Sequence, residues 1–238
     1  HTWFPMIVGT DERRNAWMDE GFNTFIDVYE ADAFHKGEFA PKRDGEYSPK
    51  GGNPVDEILS LLADKDAPPL LIGADMVKEK YRHPATYFKS ALGLVLLREQ
   101  IIGPERFDPA FRKYIATWAY KHPTPSDFFR LMESEAGEDL SWFWRGWYAN
   151  NWELDMAVTG VDGNTVTVEN RDRLVMPATL RVTFDDKSTR DIHIPVETWQ
   201  QHTSFGVVVP GKGRIVTATI DPDHRIPDRD RSNDTWPR

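Results

Sequence analysis

The hydrophobic pattern of this 238-residue chain changes character near Trp152. Before this residue, apolar side chains recur with the 3.6-residue period of α-helices. After it, short runs alternate between apolar and polar residues, as in half-buried strands. Helices and strands that are segregated along a chain indicate an α+β fold. We therefore predict a helical domain over residues 1–150, followed by a small antiparallel β-sandwich with an irregular C-terminal tail over residues 151–238.

Breaker residues divide the first part into several predicted helices. Residues 91–97 are apolar on every side, which is typical of a helix in the middle of a domain. Pro84 is expected to open this helix, because proline favours the first helical turn. Residues 36–55 are rich in Gly, Pro and Lys, which predicts a surface loop. The predicted helices span about residues 16–34, 56–63, 84–102, 104–120 and 124–136, with a last one after Asp139.

The second part is predicted to hold six or seven short strands separated by turns such as Asp162-Gly163-Asn164. Its tail, residues 221–234, is rich in aspartate, which is also the composition of calcium sites. Arginines are interleaved with these aspartates, at Arg225, Arg229 and Arg231. This interleaving favours internal ion pairs over a calcium site.

Composition excludes several classes of protein. Hydrophobic residues make up 39% and charged residues 28% of the chain, so it is neither disordered nor membrane-embedded, and no apolar run suggests a membrane span. A net charge of −9 disfavours nucleic acid as a partner, because a phosphate backbone attracts basic surfaces. The chain has no cysteine, which excludes disulfides and thiolate chemistry. The compartment stays open between periplasmic, secreted and cytoplasmic.

Three short motifs follow one another in the first part. They are H-x-W-F at His1, Trp3 and Phe4, W-x-x-E-G-F at Trp17, Glu20, Gly21 and Phe22, and Y-x-K-x-A at Tyr87, Lys89 and Ala91. In this order and at this spacing they resemble the aminopeptidase N-like family of zinc metallopeptidases, a gluzincin group that includes the leukotriene hydrolases. The resemblance covers about residues 1–150. Departures at Pro5-Met6 and Asp19 concern subfamily and substrate preference.

The resemblance implies the helical part of a thermolysin-like catalytic domain that binds one zinc ion. In gluzincins the ligands are the two histidines of H-E-x-x-H and a glutamate from the next helix. His1 matches the second histidine, and Glu20 matches the glutamate. The first histidine and the general-base glutamate would precede His1. We therefore expect the C-terminal part of an aminopeptidase that hydrolyses N-terminal peptide bonds, with weak or no zinc binding and no activity in the isolated chain.

Tyr87 is the predicted catalytic residue, because the family tyrosine of this motif donates a hydrogen bond to the oxyanion of the tetrahedral intermediate. The alternative is a core tyrosine at the start of a buried helix. Tyr81 is a rival that lacks the lysine and small-residue context. His83 is expected to be a surface-loop residue. We further expect a groove lined by Trp17, Glu20 and Tyr87 that is either open to solvent or filled by a neighbouring chain.

Simpler interpretations remain for the two predicted ligands. His1 could be a terminal residue without a role, and Glu20 a solvated helix residue. The rival function is a non-catalytic, peptidase-like scaffold or protein-binding module. Peptide substrates are the expected partners of the enzyme, and an H-E-x-x sequence before His1 would separate the two functions. Oligomeric state and the preferred N-terminal residue of the substrate do not follow from the sequence.

Overall fold

The computed structural model describes residues 3–33, 54–211 and 213–237. The chain divides into two compact units, the first ending at Asn151 and the second beginning at Trp152. Within the described ranges, helices make up the regular structure of the first unit, and two antiparallel sheets dominate the second, which confirms the α+β class. In the same ranges, every helix is too short or too polar to cross a membrane.

The first unit is built from helices of very different lengths. Its α-helices are α1 (Glu12–Asn15), α2 (Trp17–Ala33), α3 (Pro54–Ala63), α4 (Glu79–Tyr81), α5 (Ser90–Leu96), α6 (Pro104–Trp118), α7 (Pro125–Ala136) and α8 (Ser141–Phe143). A 3₁₀ turn spans Ala74–Met76, and π-helical segments span Arg82–Lys89, Leu97–Ile101 and Trp144–Tyr148. From Glu79 to Ile101 the helical segments are continuous, and together they form what we name the central helix.

Two predicted boundaries differ from the structure. Pro84 does not open the central helix, which begins five residues earlier, at Glu79. The wide π-helical turn of Arg82–Lys89 accommodates a residue that has no N–H to donate to the preceding turn. The predicted loop over residues 36–55 lies outside the described residues up to position 53, and Pro54 already begins α3.

Helix α7 shows how local sequence sets a boundary correctly. Thr124 and Asp127 form a capping box, in which Thr124 N donates to Asp127 Oδ2 over 2.8 Å. Pro125 occupies the first turn, and Gly137 ends the helix with a left-handed φ of 69°. These signals are all local, which is why the predicted span of about 124–136 agrees with the structure.

Aromatic rings form the centre of the first unit. The ring centroid of Phe22 lies 5.0 Å from that of Phe128 and 5.7 Å from that of Phe111. The apolar stretch of the central helix is buried, with Leu94 and Leu96 both at 0% exposure. The all-round apolar pattern of this stretch therefore predicted its central place correctly.

The second unit contains two antiparallel sheets. Its strands are β1 (Met156–Asp162), β2 (Thr165–Asn170), β3 (Ala178–Phe184), β4 (Thr189–Ile194), β5 (Ser204–Val208), β6 (Ile215–Ile220) and β7 (Thr235–Trp236). One sheet has the order β1-β2-β5 and the other β4-β3-β6-β7. A short helix, α9 (Glu197–Gln201), precedes β5, and a 3₁₀ turn spans Arg231–Asn233. Every second residue of β3 is buried, as its alternation predicted.

The aspartate-rich tail is held by ion pairs. Arg231 Nη1 lies 2.7 Å from Asp221 Oδ2 and 3.2 Å from Asp234 Oδ2, and Arg231 Nη2 donates to Ile226 O. Both of these carboxylates are buried. The predicted preference for internal ion pairs is confirmed, and among the described residues no group of acidic or histidine side chains is arranged to hold a metal ion.

Candidate active site

Helix α2 carries the W-x-x-E-G-F motif in its first turns. Trp17 and Phe22 are buried, while Glu20 is half-buried. Thr24 Oγ1 donates to Glu20 O over 2.9 Å. The preceding carboxyl group, Asp19, is also buried, and burial raises its pKa to about 7, with further contributions from the charges of Glu12 and Glu20. Asp19 and Glu20 both lie in the first turn of α2. The helix dipole favours negative charge at this position, whereas burial opposes it at Asp19.

The central helix carries the Y-x-K-x-A motif. Tyr87 is half-buried, and Lys89, Ser90 and Ala91 are buried. The ring of His83, one turn earlier, meets the Tyr87 ring edge-on, with centroids 5.6 Å apart and an interplanar angle of 87°. The prediction that His83 is a surface-loop residue is wrong, because the central helix begins before Pro84 and His83 lies within it.

Gly21 is the point at which α2 and the central helix meet. A Cβ atom placed on Gly21 would lie 1.9 Å from Ser90 Oγ and 3.2 Å from Thr86 O. Ser90 Oγ also donates to Trp17 O over 2.9 Å. The contact residues Gly21 and Thr86 are the sequence neighbours of Glu20 and Tyr87. The two motifs therefore belong to one packed interface, which places their functional candidates on adjoining helical turns.

Substitution of Gly21 tests this close approach. We expect Gly21→Ala to lower the free energy of unfolding of the chain by about 1–3 kcal/mol, because the added methyl group overlaps Ser90 and forces the helices apart. The measurement is thermal unfolding followed by circular dichroism. Gly160→Ala is the matched control, because a Cβ there would have no heavy atom within 4 Å. An equal effect of both substitutions would contradict the interface.

Trp17 borders a small pocket together with Ala85 and Thr86, the residues that precede Tyr87. The groove lined by Trp17, Glu20 and Tyr87 stays a prediction. The side chain of Trp17 is only 2% exposed. Its ring centroid lies 4.8 Å from that of Tyr148 and 6.0 Å from that of Phe129, so the indole belongs to the aromatic core. Glu20 and Tyr87 retain partial exposure.

Tyr81 has a structural contact that separates it from Tyr87. Its ring is buried, and its hydroxyl donates to Asp64 Oδ2 over 2.8 Å. Lys80 Nζ lies 3.2 Å from the same oxygen. Tyr81 therefore ties the start of the central helix to the residue that follows α3.

Sequence reasoning named Lys89 only as part of a motif, yet its side chain is the most unusual one near Tyr87. It is 0% exposed, and Lys89 Nζ donates to Asn150 O and Asn151 Oδ1 over 3.1 and 2.8 Å. The signal that could have revealed it is a lysine two residues after the candidate tyrosine, at the head of an otherwise apolar run.

Comparison with known proteins decides the family. The family model described as "Peptidase family M1 domain" matches residues 1–147, which is more than half of the chain. The chain belongs to peptidase family M1. This match confirms the expected resemblance to aminopeptidase N-like enzymes. The M1 aminopeptidases are zinc metallopeptidases.

Individual relatives of this M1 chain are distant. Aminopeptidase A of Gloydius brevicauda is 23% identical over an alignment of 228 positions that covers 92% of this chain and 22% of that protein. Glutamyl aminopeptidase of Bitis rhinoceros is 22% identical over 95% of this chain and 23% of its own length. The crystal structure of Legionella pneumophila aminopeptidase A in complex with aspartic acid shares the fold, with a TM-score of 0.57 and 16% identity over 92% of this chain. The present chain spans about a quarter of the length of that protein.

The zinc expected of an M1 peptidase fits the described residues only in part. The carboxylate of Glu20 is a chemically suitable ligand. His1, the other predicted ligand, lies outside the described residues. Within the described ranges no group of three His, Cys, Asp or Glu side chains is arranged to hold a metal ion. The roles of His1, Glu20 and Tyr87 therefore stay predictions.

Proposed function

We propose that this protein is a zinc-dependent aminopeptidase that hydrolyses the N-terminal bond of peptide substrates, with His1 and Glu20 as zinc ligands and Tyr87 as the catalytic hydrogen-bond donor. The observation that carries the proposal is the interface at Gly21, where the helix of Glu20 meets the turn of Tyr87 within an M1 domain. Family membership supports peptide hydrolysis, and the interface supports a joint role for the two side chains.

The chemistry follows from what each group can donate. Attack on a peptide carbonyl creates a negatively charged oxygen, and a preorganised donor such as the Tyr87 hydroxyl stabilises it by a few kcal/mol. The half-buried position of Tyr87 suits this role, since part of its ring is shielded while access from outside remains. When bound, zinc acts as a Lewis acid and lowers the pKa of water to about 7. Glu20 would supply one of the oxygen ligands.

An M1 site of this type also needs the first histidine ligand and the general-base glutamate of H-E-x-x-H, and residues 1–238 contain no H-E-x-x-H sequence. Absence of a positioned base costs about 10²–10⁴-fold in rate. We therefore propose that residues 1–238 alone are inactive and bind zinc weakly, while the full-length product of the gene is active.

The test compares the full-length gene product with residues 1–238. We expect the full-length product to hold one zinc ion after dialysis and to hydrolyse aminoacyl anilides, and the shorter chain to do neither. Metal content is measured by mass spectrometry and hydrolysis by absorbance. Removal of zinc with a chelator should abolish activity, and added zinc should restore it.

A matched pair of substitutions assigns the ligand. Glu20→Gln in the full-length product should weaken zinc binding by at least about 10-fold. Glu12→Gln, at an exposed glutamate of α1, should leave zinc binding unchanged. Full-length protein without zinc and without hydrolysis would support the scaffold function instead. Turnover by residues 1–238 close to that of the full-length product would show that the active site is misplaced.

A further inference from the structure

Lys89 carries a buried amine that the chemistry proposed above does not use. Its two acceptors, Asn150 O and Asn151 Oδ1, are both uncharged. Across the described part of the chain, no carboxylate forms an ion pair with it. Burial lowers the pKa of Lys89 to about 7. An apolar side chain of similar length would fill this volume without the cost of desolvating an amine. What the lysine adds is a pair of directional hydrogen bonds, which an apolar side chain cannot form.

The surroundings of Lys89 join three segments of the first unit. Trp147 Nε1 donates to Lys89 O over 3.0 Å, and Lys89 Nζ lies 5.5 Å from the centroid of the Trp147 ring. Asn151 Nδ2 in turn lies 3.4 Å from Leu61 O and from Leu62 O, near the end of α3. Lys89 therefore links the central helix to the segment after Trp144–Tyr148 and, through Asn151, to α3.

This link lies on the side of the helical turn away from Tyr87. Residues two apart on a helix project to nearly opposite sides. Thr86 and Ser90, four residues apart, share a further face, which packs on Gly21 of α2. The turn that carries Tyr87 is thus held by α2 on one face and by the Lys89 hydrogen bonds on another. Loss of either contact would allow the turn to rotate or shift.

We propose that Lys89 is a positioning residue that fixes the Tyr87 hydroxyl for catalysis through its bonds to Asn150 and Asn151. This proposal rests on the proposed function of Tyr87 as the oxyanion donor. Catalytic geometry is demanding, since a misplacement of about 1 Å can cost about 10²-fold in rate. A lysine that is held by two directional hydrogen bonds sets such a geometry more narrowly than apolar packing does.

A double-mutant cycle in the full-length gene product tests the proposal. Lys89→Met keeps the length of the side chain and removes the amine. We expect kcat to fall by about 10- to 10²-fold with KM nearly unchanged. In the Tyr87→Phe background the same substitution should have no further effect on kcat, because the group that it positions is already absent. Lys80→Met, at an exposed lysine near the start of the same helix, is the matched control and should leave kcat unchanged.

The double-mutant cycle has outcomes that would contradict the positioning role of Lys89. An unchanged kcat in Lys89→Met, or an equal proportional loss in the Tyr87→Phe background, would overturn the positioning role. If Lys89→Met does not fold, Asn151→Ala takes its place in the cycle, since it removes the Oδ1 acceptor and retains the lysine. The expected loss is then smaller, and the same non-additivity with Tyr87→Phe is required.

A spectroscopic readout separates this proposal from the proposed function. In protein labelled with ¹³C at tyrosine rings, the Tyr87 resonance is identified by its absence in Tyr87→Phe. It should shift in Lys89→Met and stay in place in Lys80→Met. If the wild-type protein has no peptidase activity, the proposed function fails, and this shift still shows whether Lys89 positions Tyr87. An unmoved resonance would overturn the positioning role irrespective of activity.

Discussion

Tyr87→Phe in the full-length gene product is expected to lower kcat and kcat/KM together by about 10²–10³-fold. The substitution removes one hydroxyl and almost no volume. The hydrogen bond from this hydroxyl is strongest when charge develops on the carbonyl oxygen, so its loss raises the barrier without weakening ground-state binding. Steady-state kinetics on an aminoacyl anilide, with zinc content measured in parallel, provides the test.

Tyr81→Phe is the matched control for Tyr87→Phe. Both tyrosines lie on the central helix, but the Tyr81 hydroxyl donates to Asp64 and has no proposed catalytic role. We expect Tyr81→Phe to lower thermal stability slightly and to leave kcat unchanged. Normal activity in Tyr87→Phe would return Tyr87 to the alternative of a core tyrosine at the head of a buried helix.

Arg231→Met should destabilise the second unit by about 3 kcal/mol, the lower end of the range for removal of one partner from a buried ion pair. The lower end applies because the Arg231 side chain keeps 21% exposure. Burial raises the pKa of Asp234 to about 7 and that of Asp228 to about 6, so negative charge in this tail is already costly. Without Arg231, Asp221 and Asp234 lose the cation that compensates them.

Hydrogen exchange followed by mass spectrometry measures this effect, because it reports on peptides of the second unit separately. Protection of β6 (Ile215–Ile220) and of the tail should fall in Arg231→Met. Arg181→Met is the control, since Arg181 also contacts two carboxylates, Asp191 and Asp223, but on the surface. Solvent screens exposed pairs, so this control should leave protection almost unchanged. Equal losses in both variants would contradict the burial argument.

Much of the candidate site was predictable because motifs and local signals act over few residues. The spacing of Trp17, Glu20, Gly21 and Phe22 indicates the family from sequence alone, and family membership is confirmed. The capping box at Thr124 placed a helix correctly. The sequence misplaces His83 because Pro84, next to it, predicts a helix start, whereas a π-helical turn includes both residues. The catalytic and ligand roles themselves stay predictions.

Hydrophobic periodicity was sufficient to indicate a helical part, a following pair of antiparallel sheets and the burial of the central helix, because period and burial are properties of neighbouring residues. Three-dimensional packing was needed to place Gly21 against Ser90, to set the Trp17 ring against Tyr148 and to bury Lys89 beside Asn150 and Asn151. These contacts join residues that are about 60 or more positions apart, and nothing in a local pattern specifies which distant acceptor a buried lysine will meet.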